Sequence, residues 1–144
     1  MKILICGLPG SGKTTLAKEF AYKFNIPHHN ADFYREAYND WDFSDQGRER
    51  QAIRMSKKIG ILDFVCPTEK LRKLVNANYV IWLNTIEKGR YEDTNRIFEP
   101  PKKINFEIKK WIGKNQLHNS WEDFSPGMKG IQSYLDEQFH TQAK

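Results

Sequence analysis

The sequence predicts an α/β fold in three layers, a five-stranded parallel sheet with helices on both faces. Three observations predict it. Short apolar runs alternate along the chain with stretches of helical character, the pattern of a parallel sheet covered by helices. The run Tyr79 to Leu83 is apolar enough for a strand buried on both faces. The first run, Ile3-Leu4-Ile5-Cys6, leads directly into Gly7-Leu8-Pro9-Gly10-Ser11-Gly12-Lys13-Thr14 and then into a helical pattern. That order is strand, glycine-rich turn, helix.

In chain order, the first strand is followed by a helix marked by Leu16, Phe20 and Phe24, four residues apart. Asn25-Ile26-Pro27 breaks it. Pro27 to Ala31 reads as a short second strand ending at Asp32, and residues 32–45 as a short helix and loop rich in aromatics. Ser44-Asp45 caps a helix over about 46–59, whose narrow apolar stripe is Ala52, Met55 and Ile59. Ile61 to Cys66 reads as the third strand, stopped by Pro67, with a short helix over 68–76 after it. Tyr79 to Leu83 is the fourth strand, and 84–101 shows no clean period. Ile104 to Ile108 alternates as a fifth strand, and 112–124 reads as irregular. Ser125-Pro126 opens a last helix with Met128, Ile131, Leu135 and Phe139 facing inward. With 144 residues and no linker, the chain is expected to be one domain, 1–144.

The glycine-rich stretch reads G-x-x-x-x-G-K-T, the pattern of a phosphate-binding loop. Gly7, Gly10 and Gly12 permit backbone angles that a Cβ forbids. The loop's N–H groups can then point inward as an anion nest at a helix N-terminus. Residues Gly7 through Thr14, with Thr15 beside them, are expected to hold the phosphates of ATP. Lys13 reaches the terminal phosphates and the Thr14 hydroxyl holds Mg²⁺.

Composition excludes other classes. No run approaches the roughly 18 apolar residues of a membrane span. The N-terminus enters a strand at once, which argues against a signal peptide. Cys6 and Cys66, the only cysteines, lie in apolar runs and read as reduced core thiols of a cytoplasmic protein. The net charge of +5 suits an anionic partner. The basic residues form no run of five, which disfavours nucleic acid without excluding it. His28-His29 lack ligand partners nearby in sequence, so a metal site built from side chains alone is not expected.

Ligands of such folds gather at the C-terminal ends of the strands. Asp32 falls just past the second strand, where a carboxylate can orient a hydroxyl and accept its proton. Arg35, three residues on, can bind an anion by a forked contact. Arg48 and Gln51 share one face of the polar helix, and Arg54 sits about 120° from Arg48; from spacing alone a solvated face is the favoured explanation. Phe43 and Trp41 either stack on a base or pack in the core. Asp63 interrupts an apolar strand, so it either supports Mg²⁺ through water or pairs with a nearby Lys or Arg.

Together these residues resemble the adenylylsulfate kinase family of P-loop kinases over about residues 1–110. Gly7 to Ala17 matches its phosphate loop, and Ala31-Asp32-Phe33-Tyr34-Arg35 is similar to its D-G-D-x-x-R. Asp42-Phe43-Ser44 matches G-F-S, and Arg48 the first arginine of R-x-x-N-I-R-R. Phe64-Val65-Cys66-Pro67 with Arg72 is similar to F-I-S-P and its following arginine, and Phe98-Glu99-Pro100-Pro101 to Y-E-x-P. Gln51 stands where the family has a substrate-binding asparagine, and Cys66 where it has a serine. The passage from Arg54 to Leu62 is shorter than the family's. Lys88 to Arg96 replaces the family's R-D-x-K-G-L-Y in a lid-like segment around 85–101.

The resemblance implies a P-loop kinase fold and ATP-dependent phosphorylation of the 3′-hydroxyl of adenylylsulfate. Lys13 and Asp32 would be catalytic. Asp32, Arg35, Phe43, Arg48 and Gln51 would hold the acceptor, and Thr14 and Asp63 the Mg²⁺. The expected partner is a nucleotide-like small molecule, with a homodimer left open. The alternatives are a polynucleotide 5′-kinase or a kinase of another nucleotide-like alcohol, and then a nucleotide-binding module without transfer.

Overall fold

Ile3, Leu4, Ile5 and Cys6 have no solvent exposure, and with Lys2 they form the central strand β1 (Lys2–Cys6). In the computed structural model, residues 1–110 are described. They contain α1 (Lys13–Phe24), β2 (His28–Asn30), α2 (Ala31–Ala37), α3 (Asp45–Ser56) and β3 (Gly60–Asp63). Next come α4 (Glu69–Val75), β4 (Tyr79–Leu83), α5 (Glu92–Ile97) and β5 (Phe106–Ile108). The strands form one five-stranded sheet in the order β2-β3-β1-β4-β5, and every pairing is parallel.

Alternation along the strands sends neighbouring side chains to opposite faces. Leu4, Cys6, Leu62 and Phe64 pack with Ala52 and Met55 of α3 and with Leu71 and Val75 of α4. The intervening Ile3, Ile5 and Ile61 are also fully buried, on the face where α1 brings Leu16, Ala17 and Phe20. A sheet covered on both sides needs strands that are apolar at successive positions, which is why the runs are visible in sequence. Cys6 and Cys66 are free buried thiols; burial pushes the Cys6 thiol up to about 11 and Cys66 well above its ordinary value, so neither is a ready nucleophile.

The helix starts follow capping chemistry. The side chains of Asn30, Ser44 and Thr68 accept from the backbone N–H groups of Phe33, Gly47 and Leu71. Four expectations are corrected. The third helix stops at Ser56, because the chain needs residues 57–59 to reach β3; Ile59 is 59% exposed and lies on no core stripe. The third strand spans Gly60–Asp63 rather than 61–66. The ladder ends where β1 gives way to the glycine-rich loop, and Cys66 turns away with φ 44°. Residues 84–101 contain α5, a helix of six residues that no period announces. The fifth strand is only Phe106–Ile108. The expected last helix and the irregular stretch before it lie outside the described residues.

Candidate active site

The loop between β1 and α1 is built as its glycines require. Gly7, Gly10 and Gly12 all have positive φ (153°, 89° and 104°), and Gly12 caps α1. A Cβ on Gly7 would lie 2.6 Å from the carbonyl oxygen of Leu83, so β4 and the loop can touch only through glycine. The Thr85 hydroxyl donates to the Ser11 carbonyl at 2.8 Å, pinning the loop from the other side. Lys13 is buried, and its Nζ donates to the Leu8 carbonyl at 3.0 Å across the loop. Burial lowers the Lys13 pKa from its ordinary value, while Asp63 and Asp32 pull it back up. Its ammonium therefore lies among carboxylates at the end of the sheet.

Beside the loop, β3 ends at Asp63, paired in register with Ile5 of β1 and Asn30 of β2. That register collects four side chains. Asp63 Oδ2 accepts from the Thr14 hydroxyl (2.7 Å) and Asn30 Nδ2 (2.8 Å), and lies 3.2 Å from His28 Nε2. Asn30 Nδ2 is also 3.4 Å from Thr14 Oγ1. Asp63 is 3% exposed. Burial alone would raise its pKa, but the bonds from His28, Thr14 and Asn30 and the charge of Lys13 outweigh it and hold the carboxyl below its ordinary value. Of the two alternatives, a paired Lys or Arg is not found among the described residues; His28, Asn30 and the loop's threonine contact the carboxylate, and Lys13 acts on it through its charge alone. The aspartate and the threonine hydroxyl present hard oxygens, the donors Mg²⁺ prefers. Among the described residues no group of three or more His, Cys, Asp or Glu side chains forms a metal cage. The set fits an ion that keeps most of its shell from phosphates and water.

A cleft of about 210 Å³ opens at these strand ends. It is walled by Pro9, Gly10, Lys13 and Thr14 of the loop and by Asp32 in the first turn of α2. It has an apolar floor of Phe64, Val65, Pro67 and Leu71. Arg35, Phe43 and Arg48 form its rim. Two guanidinium groups approach the Phe43 ring, with Arg35 4.2 Å and Arg48 5.3 Å from its centroid. Arg35 Nη1 donates to the carbonyls of Asp40 and Asp42, and Arg48 Nε to that of Phe43. The loop holding them is fixed from outside by Asp40, which accepts from Arg50 and Arg54.

The structure brings together Lys13, Thr14, Asp32, Arg35, Phe43, Arg48 and Asp63, all on the cleft wall. Gly7, Leu8, Ser11, Gly12 and Thr15 complete the loop behind Pro9 and Gly10. Gln51 is a correction. It is fully buried behind the wall, donating to the Ala31 carbonyl at 2.7 Å and accepting from Arg54. Its amide is consumed by the fold and none of it lines the cleft. Trp41 lies outside the wall and is as exposed as Phe43, so neither is core.

Sequence reasoning missed Asn30 and His28, whose role depends on the β2–β3 register. It also left Arg90, Tyr91, Asp93 and Thr94 without roles, although all four line the cleft. The Asn95 side chain clasps both the N–H and the carbonyl of Gly89, at 2.8 and 2.9 Å. Gly89 packs so closely on Pro9 that a Cβ would lie 3.0 Å from the Pro9 carbonyl oxygen. This clasp delivers Arg90 to the glycine-rich loop. The one available signal was Gly89 followed by a cation, too short to interpret alone.

No protein-family model matches the chain. A UPF0200 protein of Thermococcus onnurineus is 28% identical over 139 residues, covering 86% of this chain and 75% of that protein. Among solved structures, Mycobacterium tuberculosis APS kinase CysC superposes with a TM-score of 0.62 at 17% identity, covering 87% of this chain and 96% of that one. Shikimate kinase from Aquifex aeolicus gives a TM-score of 0.62 at 15% identity, covering 92% and 98%. The shared architecture is the three-layer P-loop kinase fold.

Proposed function

We infer that this protein is an ATP-dependent kinase of a small alcohol, and that its acceptor is adenylylsulfate or a closely similar nucleotide-like anion. One observation carries the reading: Asp32 stands in the same cleft as Lys13 and the Thr14–Asp63 pair, with two arginines and an aromatic ring on the rim. Phosphoryl transfer needs little covalent chemistry from a protein. It needs the donor phosphates and the acceptor oxygen held in line, and charge to stabilise the transfer.

Each residue supplies a part. The backbone N–H groups of the loop and the α1 N-terminus bind the donor's phosphates. Lys13, which donates to Leu8 within the loop, exchanges that carbonyl for a phosphate oxygen. Thr14 would ligate Mg²⁺ and Asp63, held by Asn30 and His28, would orient its shell; the ion would supply positive charge against the charge that develops on transfer. Asp32 orients the acceptor hydroxyl and accepts its proton as the new bond forms. Arg90 adds a cation from the segment after β4. Arg35, Phe43 and Arg48 hold the acceptor, the ring by stacking and the arginines by charge.

The rim suits an anion with a flat surface, because Arg35 and Arg48 offer charge and the Phe43 ring offers a face on which a base can stack. The resemblance to adenylylsulfate kinases points the same way. The test is transfer of labelled phosphate from ATP to adenylylsulfate, set against shikimate, gluconate and a 5′-hydroxyl oligonucleotide. Labelling of adenylylsulfate alone supports the reading. Labelling of the oligonucleotide alone replaces the acceptor, and labelling of none removes the kinase assignment.

A further inference from the structure

The two rim arginines have different partners. Among the described residues the hydrogen bonds of Arg35 go to main-chain carbonyls, and Asp40 and Asp32 act on its charge without an ion-pair contact. Arg48, 8% exposed, instead meets a carboxylate. Its Nη2 lies 3.3 Å from Asp93 Oδ2 and 3.5 Å from the Thr94 hydroxyl, both in the first turn of α5. Asp93 is the outer member of the pair, its side chain 66% exposed against 10% for Arg48. Both residues line the cleft. Burial lowers the Arg48 pKa while Asp93 and Asp45 raise it, but a guanidinium stays charged throughout.

We propose that Asp93 is a specificity-determining residue, a carboxylate held against Arg48 in the place that the acceptor's anionic group takes. The proposal rests on the acceptor assignment above for the side of the cleft involved. An entering anion must displace Asp93 from Arg48. A sulfate or phosphate group does so, offering more charge and more acceptor oxygens than the single carboxylate it replaces. A neutral alcohol leaves the pair closed. Asp93 thereby weakens every anion somewhat and selects against acceptors that lack an oxyanion. With its carboxylate exposed to solvent, a pair of this kind is worth about a two- to fivefold change in affinity.

The test uses the full chain with MgADP at saturation, so that the glycine-rich loop is filled, and titrates inorganic sulfate by calorimetry. Asp93→Asn keeps the shape and removes the charge. It is expected to tighten sulfate about two- to fivefold, and the gain should vanish when Arg48→Gln is added. With MgATP and adenylylsulfate, the same variant should lower the acceptor KM by that factor while kcat moves less. Sulfate affinity that is unchanged or weaker in Asp93→Asn, with a wild-type melting temperature, overturns the proposal. A gain that survives Arg48→Gln also overturns it. Tighter sulfate binding without turnover of adenylylsulfate supports the proposal and overturns the acceptor named in the preceding section.

Discussion

Replacing Asp63 by asparagine separates two contributions that the structure places on one side chain. The carboxylate is 3% exposed, and Thr14, Asn30 and His28 all approach its Oδ2. Bonds to an ionised oxygen are worth about 1 kcal/mol more than neutral ones. Three such bonds set an upper figure of about 3 kcal/mol, and relief of the buried charge offsets part of it. The expected net loss is about 1–2 kcal/mol, a fall of about 3–8 °C in melting temperature for a chain of this size. The loss should depend on pH. The folded pKa of Asp63 is held below the ordinary 3.8, so its contribution is complete above about pH 4 and disappears as pH falls through the folded value. Melting curves of wild type and variant should converge on acidification. Separately, removing a group that orients a metal's shell costs about 10–100-fold in metal affinity. A Mg²⁺ titration of activity, checked by Mn²⁺ binding to the ADP complex, should shift by that factor. An unchanged titration refutes the metal role, and a stability difference independent of pH refutes the charge-based account of the cluster.

Two further outcomes follow from the same geometry. Lys13→Ala should abolish phosphoryl transfer, because positioning of the terminal phosphate supplies most of this chemistry; turnover within tenfold of wild type would contradict the assignment of the loop. Gln51→Ala strands the Ala31 carbonyl and a bond of Arg54, so urea denaturation should show a loss of about 1–3 kcal/mol. A large rise in acceptor KM at undiminished stability would restore Gln51 to the substrate.

How much of this was legible in sequence depended on how local the cause was. The glycine-rich loop was legible because its backbone angles are dictated by its own residues. Tyr79–Leu83 was legible because a strand covered on both faces must be apolar throughout. Ser44 was found by the same logic, since a capping side chain bonds only three residues ahead. Where the cause lies across the fold, the sequence was silent. Helix α5 is short and charged, and its place depends on Arg48 meeting Asp93 and on Asn95 clasping Gly89. Asn30 and His28 gained meaning only when β2 came to lie beside β3. Gln51 shows the converse hazard. It occupies a position that the family resemblance marks for substrate, but with its amide turned to Ala31 and Arg54 it serves the wall instead.

The central claim, that the cleft transfers a phosphoryl group to a hydroxyl, rests most heavily on Asp32. It is exposed in the first turn of α2, on the wall of the cleft that the phosphate loop also lines, with no ion pair among the described residues that would give it another duty. Asp32→Asn keeps volume and hydrogen bonding but cannot accept a proton. Steady-state kinetics with ATP and acceptor varied independently should show kcat reduced by at least about 10²-fold, with little change in ATP affinity. Arg35→Ala, measured alongside, should chiefly raise the acceptor KM. A near-normal kcat in Asp32→Asn would contradict the mechanism assigned to Asp32, and failure of the wild-type chain to phosphorylate any hydroxyl acceptor would leave a nucleotide-binding module as the better description of this chain.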